Sequence, residues 1–350
     1  MNQMKLLDIL AGRNLSPFGG MVRGLATLGK PFYAAAVNRR NKRFDSGARV
    51  SHRLPKPTIS VGNITTGGTG KTPMVIELCN RLLTLNQRPA VLMRGYKSVN
   101  GKSDEAMLLQ NALGDHVVVQ ANPNRREGAE QALAHDPWID VFVLDDGFQH
   151  RQVHRDVDLV LIDAVEPFGF GHLLPRGTLR EPLASLSRAD GVIITRVDQV
   201  DMHTIAEIEQ KITQFSAEKP IIHAAYDWIG YRDAWDVEHP LEVLQGDAVI
   251  GVCGIGNPVA FSRSLAHATD KVIEEIRLDD HHHYTMDEIV SLHKHSREKG
   301  ATAIVTTEKD YIKWPRETID NALPVYQPVL QTTLTSGEEV LDALLQKVLA

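Results

Sequence analysis

Within ITTGGTGKTPMV (residues 64–75), three glycines run into Lys71 and Thr72. In a glycine-rich turn that opens a helix, main-chain N–H groups point at an anion, and the helix dipole favours negative charge there. Lys71 would neutralise the outer phosphates of a nucleotide, and the Thr72 hydroxyl would join a magnesium shell. The loop departs from GxxxxGK[ST], because Thr65 stands at the first glycine. It also departs from KGGxGK[ST], because Thr66 replaces the extra lysine. Gly67, Gly68 and Gly70, the glycines nearest the phosphates, remain. Thr65, Thr66, Gly67, Gly68, Thr69, Gly70, Lys71 and Thr72 therefore read as a phosphate cradle, since a plain strand-to-helix turn would not require three glycines before Lys-Thr.

VFVLDDGFQH (141–150) sets Asp145 and Asp146 at the end of an apolar run. Two carboxylates at a buried strand end are costly unless a cation compensates them, which suits a Mg²⁺ site; an Asp-Gly turn capping the strand is the plainer alternative. Ser103-Asp104-Glu105-Ala106 offers either dipole-favoured acids at a helix start or a base for a substrate hydroxyl. Asp279-Asp280-His281-His282-His283-Tyr284 presents three consecutive histidines. Alternate residues of an extended chain face opposite sides, so one catalytic histidine fits better than a zinc site. Thr195-Arg196-Val197-Asp198 resembles the [NT]KxD guanine reader, with Arg in place of Lys, but four-residue matches are common and a strand-ending Asp is ordinary turn chemistry, which is the favoured reading.

These residues need strand ends to carry them. Candidate strands are 58–62, 89–93, 116–120, 140–145, 158–163 and 191–195, alternating with helical stretches at 71–85, 104–113, 126–135 and 203–214. Such alternation predicts βαβ units and a mainly parallel sheet with helices on both faces. Residues 164–189 form a long Gly- and Pro-containing connection of the kind that usually carries function. The pattern breaks near 226–246, read as a linker or hairpin. A second, smaller α/β lobe spans 247–350; its pattern starts with AVIGVCGIGNP (248–258) and continues through strands at 302–307 and near 325–330 and helices near 286–298 and 336–348. The phosphate-loop core is then 58–225.

Hydrophobic residues make up 43% of the 350 and charged residues 23%, a globular composition that excludes disorder and fibrous repeats. Cys79 and Cys253 each sit in apolar sequence and read as buried free thiols. The net charge of −6 conceals an asymmetry: residues 1–57 hold eleven Lys/Arg against Asp8 and Asp45. Their short apolar patches are interrupted by charge, too short to span a bilayer and suited to an amphipathic segment on the body or in a lipid interface. Nucleic acid is disfavoured as a partner, because no aromatic-interleaved basic platform follows. From these residues alone, a kinase, a nucleotide-driven ATPase or GTPase switch, and a non-catalytic nucleotide-binding module all remain open.

The collinear pieces VGNITTGGTGKTP, RGY, SDEAMLL, LDDGFQH, LLPRGTLREPL, GIGNPVAF, DDHHHYT and TTEKDYIK resemble the tetraacyldisaccharide 4′-kinase family, the lipid A kinases of Gram-negative bacteria. Ser103, Ala106 and Arg176-Gly177-Thr178 depart from the family pattern in local loops. The resemblance implies a P-loop NTPase-like fold and transfer of the ATP γ-phosphate to the 4′-hydroxyl of an acylated glucosamine disaccharide 1-phosphate, with ATP and Mg²⁺ as cofactors. It implies Asp104 and His281 as the base pair, Asp280 orienting His281, and Arg180 neutralising the moving phosphoryl group. Glu105 and Glu181 would join Thr72, Asp145 and Asp146 at the metal, and His150 would contact phosphate or acceptor. Residues 1–57 would meet the anionic cytoplasmic face of the inner membrane as a peripheral, monotopic attachment. Closure of the two lobes would bring Asp104 and the histidine cluster together.

Overall fold

The computed structural model describes residues 3–95, 98–99, 102–280, 282–315 and 322–349, which divide into two compact units, 1–225 with 332–350, and 226–331. In the first unit, α1 (Gln3–Leu10) and α2 (Pro17–Asp45) precede β1 (Thr58–Asn63), α3 (Lys71–Thr84), β2 (Pro89–Met93), β3 (Ser98–Val99), β4 (Lys102–Ser103) and α4 (Asp104–Leu113). There follow β5 (Val118–Ala121), α5 (Arg125–His135), β6 (Val141–Asp145), β7 (Val157–Asp163), β8 (Gly191–Thr195), α6 (Met202–Thr213) and β9 (Ile221–Arg232).

The main sheet of this unit is parallel, in the order β5-β2-β6-β1-β7-β8-β9. Its central strands are buried along their whole length, as expected when helices cover both faces. Alternation along β6 shows the two faces: Val141 and Val143 pack with Met74, Leu78 and Leu82 of α3, while Phe142 and Leu144 pack with Ala129 and Ala132 of α5. On the β7–β8 side, α6 supplies Ile205, Ile208 and Ile212 against Val160, Ile162, Val192 and Ile194.

The chain passes into the second unit within β9 and continues through β10 (Glu238–His239), β11 (Ala248–Cys253), α7 (Pro258–Ala268), β12 (Lys271–Arg277), α8 (Met286–Glu298), β13 (Ala303–Thr306) and α9 (Glu308–Tyr311). It returns within β14 (Val325–Ser336) to α10 (Glu338–Leu349). Strands β12-β11-β13-β14 are parallel neighbours, with α7 packed on one face and α8 on the other. The stretch read as a linker contains an ordered antiparallel pair, β9 with β10, in which Arg232 faces Glu238.

The closing helix, which the sequence division assigns to the second lobe, instead belongs to the first unit. Leu341, Leu345 and Val348 of α10 complete the apolar cluster that holds Val157 and Leu159 of β7. Cys79 and Cys253 are buried free thiols. Among the described residues, no helix is long and apolar enough to cross a membrane.

Candidate active site at the phosphate loop

Strands β1 and β6 run side by side, with Val61 opposite Asp145, so both deliver motif residues to the same sheet edge. Ligands of open parallel sheets bind at this carboxyl end. Gly62 allows the two motifs to approach, because a Cβ there would lie 2.6 Å from the Phe148 main-chain nitrogen. Beyond β1 the chain turns through Gly67 and Gly70, both at positive φ, and Gly70 caps α3. Lys71 and Thr72 therefore occupy the first turn of α3, as a phosphate cradle demands.

The loop is held by the 164–189 connection, a pairing that the sequence does not disclose. Thr66 N donates to Thr178 O at 2.7 Å, Arg180 N donates to Ile64 O at 2.7 Å, and Thr65 bridges Leu179 in antiparallel fashion. The long 164–189 connection thus forms a short ladder with the phosphate loop and sets Arg180 above it. The buried Thr195 hydroxyl, at the end of β8, donates to Thr69 O at 3.0 Å, and Arg196 pairs with Asp163 at 2.6 Å. Two TRVD residues are therefore engaged in bracing this sheet edge.

Asp146, at φ 55°, follows β6 and receives both Arg180 guanidinium nitrogens, Nη1 to Oδ1 at 2.8 Å and Nη2 to Oδ2 at 2.9 Å. Lys71 Nζ lies 3.6 Å from Asp146 Oδ1. Burial works to raise the Asp146 carboxyl, but Lys71 and Arg180 outweigh it and hold the group far below the usual carboxylate range. Asp145 is the opposite case. It is buried, its Oδ1 has no hydrogen-bond partner among the described residues, and burial followed by the Glu105 charge pushes its carboxyl up to about 7. Glu105 reaches this neighbourhood from the first turn of α4, beside the buried Asp104.

Asp145, with its open oxygen, and Glu105 on the adjoining helix have the hard-oxygen chemistry a divalent cation takes, but Arg180 occupies both Asp146 oxygens, and among the described residues no three such side chains stand together as a formed metal site. Glu181 does not fit that role. It is fully buried, and Arg40 at 2.7 Å, Asn41 at 3.1 Å and Arg188 at 2.8 Å occupy its two oxygens. Burial alone would raise its carboxyl, but Arg188 and Arg40 outweigh that and hold it below its ordinary value. Glu181 is thus a fastening for α2.

His150 sits one turn past β6, its N–H bonded to Gly147 O at 2.8 Å, and burial with nearby Arg125, Arg155 and Arg94 pulls it down to about 4. It is a neutral imidazole near neutral pH. Arg125 was not singled out by the sequence, yet it is 3% exposed and feels the charges of Asp145 and Asp146. Burial lowers its guanidinium to about 10, still charged at neutral pH. Its sequence signal was weak: an arginine just after the Asn124 cap of α5 reads as a surface residue.

In the second unit, Asp280 Oδ1 accepts from Lys309 Nζ at 3.2 Å, while His281 lies outside the described residues. The adjoining TTEKD turn centres on the fully buried Asp310, which accepts from Gly254 N at 2.8 Å, Thr307 Oγ1 at 2.6 Å and Lys313 Nζ at 3.0 Å. This hub ties the end of β11 to the start of α9 and supports the loop that carries Asp279 and Asp280.

A family model described as tetraacyldisaccharide-1-P 4′-kinase, LpxK, matches residues 24–350. A tetraacyldisaccharide 4′-kinase of Anaeromyxobacter sp. (strain Fw109-5) is 35% identical over 97% of this chain and 95% of its own length. One from Syntrophus aciditrophicus is 39% identical over 81% of this chain and 82% of its own. Among solved structures, the "apo" form of LpxK from Aquifex aeolicus in complex with ATP is similar at a TM-score of 0.71 and 28% identity, covering 94% of this chain and 100% of that one. With its phosphate loop intact and the match running along nearly its whole length, the chain belongs to the tetraacyldisaccharide-1-phosphate 4′-kinase family and is a kinase of lipid A biosynthesis.

Proposed function

We propose that this kinase holds the phosphates of ATP on the Thr65–Thr72 loop and works with a divalent cation held by Asp145, Asp146, Glu105 and Thr72. The observation that carries the reading is the Asp145 carboxylate: buried, open at Oδ1, and adjacent to the Lys71–Asp146–Arg180 cluster. The cation, when bound, supplies charge neutralisation for the phosphates. Lys71 binds the outer phosphates as a point charge, and the loop N–H groups orient them. Arg180, once its hold on Asp146 loosens, presents a planar fork to the moving phosphoryl group. Asp104, buried at the start of α4, accepts the proton of the acceptor hydroxyl.

The acceptor is the acylated disaccharide 1-phosphate, met at an anionic membrane surface by α2. Phe18, Met21, Leu25, Leu28 and Phe32 recur at alternating spacings of three and four along α2, and all are exposed, Phe32 at 79%. That spacing makes one apolar stripe; Arg23 and Lys30 lie on the opposite face of α2, Arg23 donating to Ile9 O and Asn14 O and Lys30 beside His172. This supports a peripheral attachment to the cytoplasmic face of the inner membrane.

The test supplies γ-labelled ATP, the lipid acceptor in detergent and a divalent cation. Label appears on the lipid with the native chain, is lost on chelation, and is lost in Lys71→Ala. Labelling that persists in Lys71→Ala, or nucleotide turnover indifferent to the acceptor, overturns the assignment.

A further inference from the structure

Asn63, the last residue of β1, is completely buried, and its side-chain amide is engaged at both its nitrogen and its oxygen. Its Nδ2 donates to Thr69 Oγ1, in the phosphate loop, at 2.9 Å. Its Oδ1 accepts from Arg180 Nη1 at 3.1 Å, the same nitrogen that donates to Asp146 at 2.8 Å. Its main-chain oxygen accepts from Gln149 Nε2 at 2.7 Å. The Arg180 backbone is pinned independently, its N–H to Ile64 O and its C=O to the Tyr33 hydroxyl at 3.0 Å. The guanidinium, by contrast, has two acceptors among the described residues, Asp146 and Asn63.

We infer that Asn63 is a positioning residue for phosphoryl transfer, holding the Arg180 guanidinium at the phosphate loop when Asp146 turns to other partners. The inference rests on the role proposed above for Arg180. The chemistry singles out an amide. One side chain must donate to the loop hydroxyl and accept from a guanidinium at the same time, and a fixed amide does both. A carboxylate would add a second charge and hold Arg180 as an ion pair; an apolar residue would leave Arg180 with no anchor besides Asp146. Because the same amide reaches Thr69, it sets loop and guanidinium in one register. Misplacement of a transition-state group by about 1 Å is enough to cost on the order of a hundredfold in rate.

A double-mutant cycle on the full chain separates this role from simple packing. In the native background, Asn63→Ala lowers kcat by about tenfold or more, while its effect through Thr69 appears in the KM for ATP. In an Arg180→Ala background the same substitution changes kcat by less than about twofold, while its KM effect persists. An equal loss of kcat in both backgrounds, or an unchanged kcat in Asn63→Ala, overturns the inference. Full activity in Arg180→Ala alone refutes the Arg180 role and this inference with it, and is read separately from the cycle. Asn63→Asp keeps the volume and an acceptor for Arg180, so it guards against a folding artefact; failure of both Asn63 variants to fold assigns the residue to the scaffold and overturns the proposal.

Discussion

Replacing Asp145 with Asn should abolish phosphoryl transfer while making the ligand-free protein more stable at alkaline pH. The carboxyl sits at about 7 in the fold against 3.8 ordinarily, because burial and Glu105 disfavour its charge. Between those values the folded chain binds a proton that the unfolded chain has released, so stability falls as pH rises. The slope approaches 1.4 kcal/mol per pH unit and flattens above the folded value, so this group removes roughly 2–3 kcal/mol between pH 5 and pH 8. Asp146 does not obscure the effect: its carboxyl is held so low that it titrates well below this window. Asn has nearly the same volume and no charge, so the variant lacks this slope. The assay is urea unfolding of both proteins at pH 5, 6, 7 and 8 with a chelator present, alongside transfer activity with a divalent cation. The native chain should lose stability relative to the variant across the series and the gap should narrow when the cation is restored. Parallel pH profiles for the two proteins would refute the reasoning, because they would mean that the Asp145 carboxylate is already compensated by protein groups.

Asp104→Ala should lose turnover while ATP affinity, measured by equilibrium binding, stays within about threefold; an equal collapse in affinity would move Asp104 from proton acceptor to the metal shell. Glu181→Ala strips the carboxylate from the half-buried Arg40 and from Arg188 and should cost about 3 kcal/mol or more, read as a lower urea midpoint, with the loss confined to stability if α2 is all it fastens. Leu25→Glu with Phe32→Glu should leave catalysis of a detergent-dispersed acceptor intact and release the protein from anionic vesicles in sedimentation; unchanged sedimentation would count against the apolar stripe as the lipid contact.

The parts of the site legible in the sequence are those whose chemistry is local. A glycine-rich turn, the helix that follows it and the acids ending β6 are contiguous, and their residue types report backbone geometry and charge directly. The strand and helix alternation of the first unit was readable for the same reason, since each buried strand is an uninterrupted apolar run. What was not readable depends on partners far along the chain. Nothing in LLPRGTLREPL announces that it ladders with the phosphate loop, because that pairing joins residues more than a hundred positions apart. The closing helix looked like the end of the second lobe, because chain order is the only cue and its apolar face names no partner.

Two carboxylates make the physical point. Asp145 and Glu181 carry the same charge, both lie beside recognisable motifs, and both are buried. From sequence each is a reasonable cation ligand. Their fates diverge because Arg40 and Asn41 on α2, together with Arg188, converge on Glu181, while among the described residues no hydrogen-bond donor reaches Asp145 Oδ1. One acid is therefore held ionised and fastens a helix; the other keeps an uncompensated oxygen at the edge where the phosphates would sit. Lys71 and Arg125 attract the Asp145 charge without offsetting its burial, and a buried oxygen left without a hydrogen bond is a standing free-energy cost of the kind that clusters where ligands bind. The unsatisfied carboxylate, more than the glycines of the loop, marks this sheet edge as a place for chemistry.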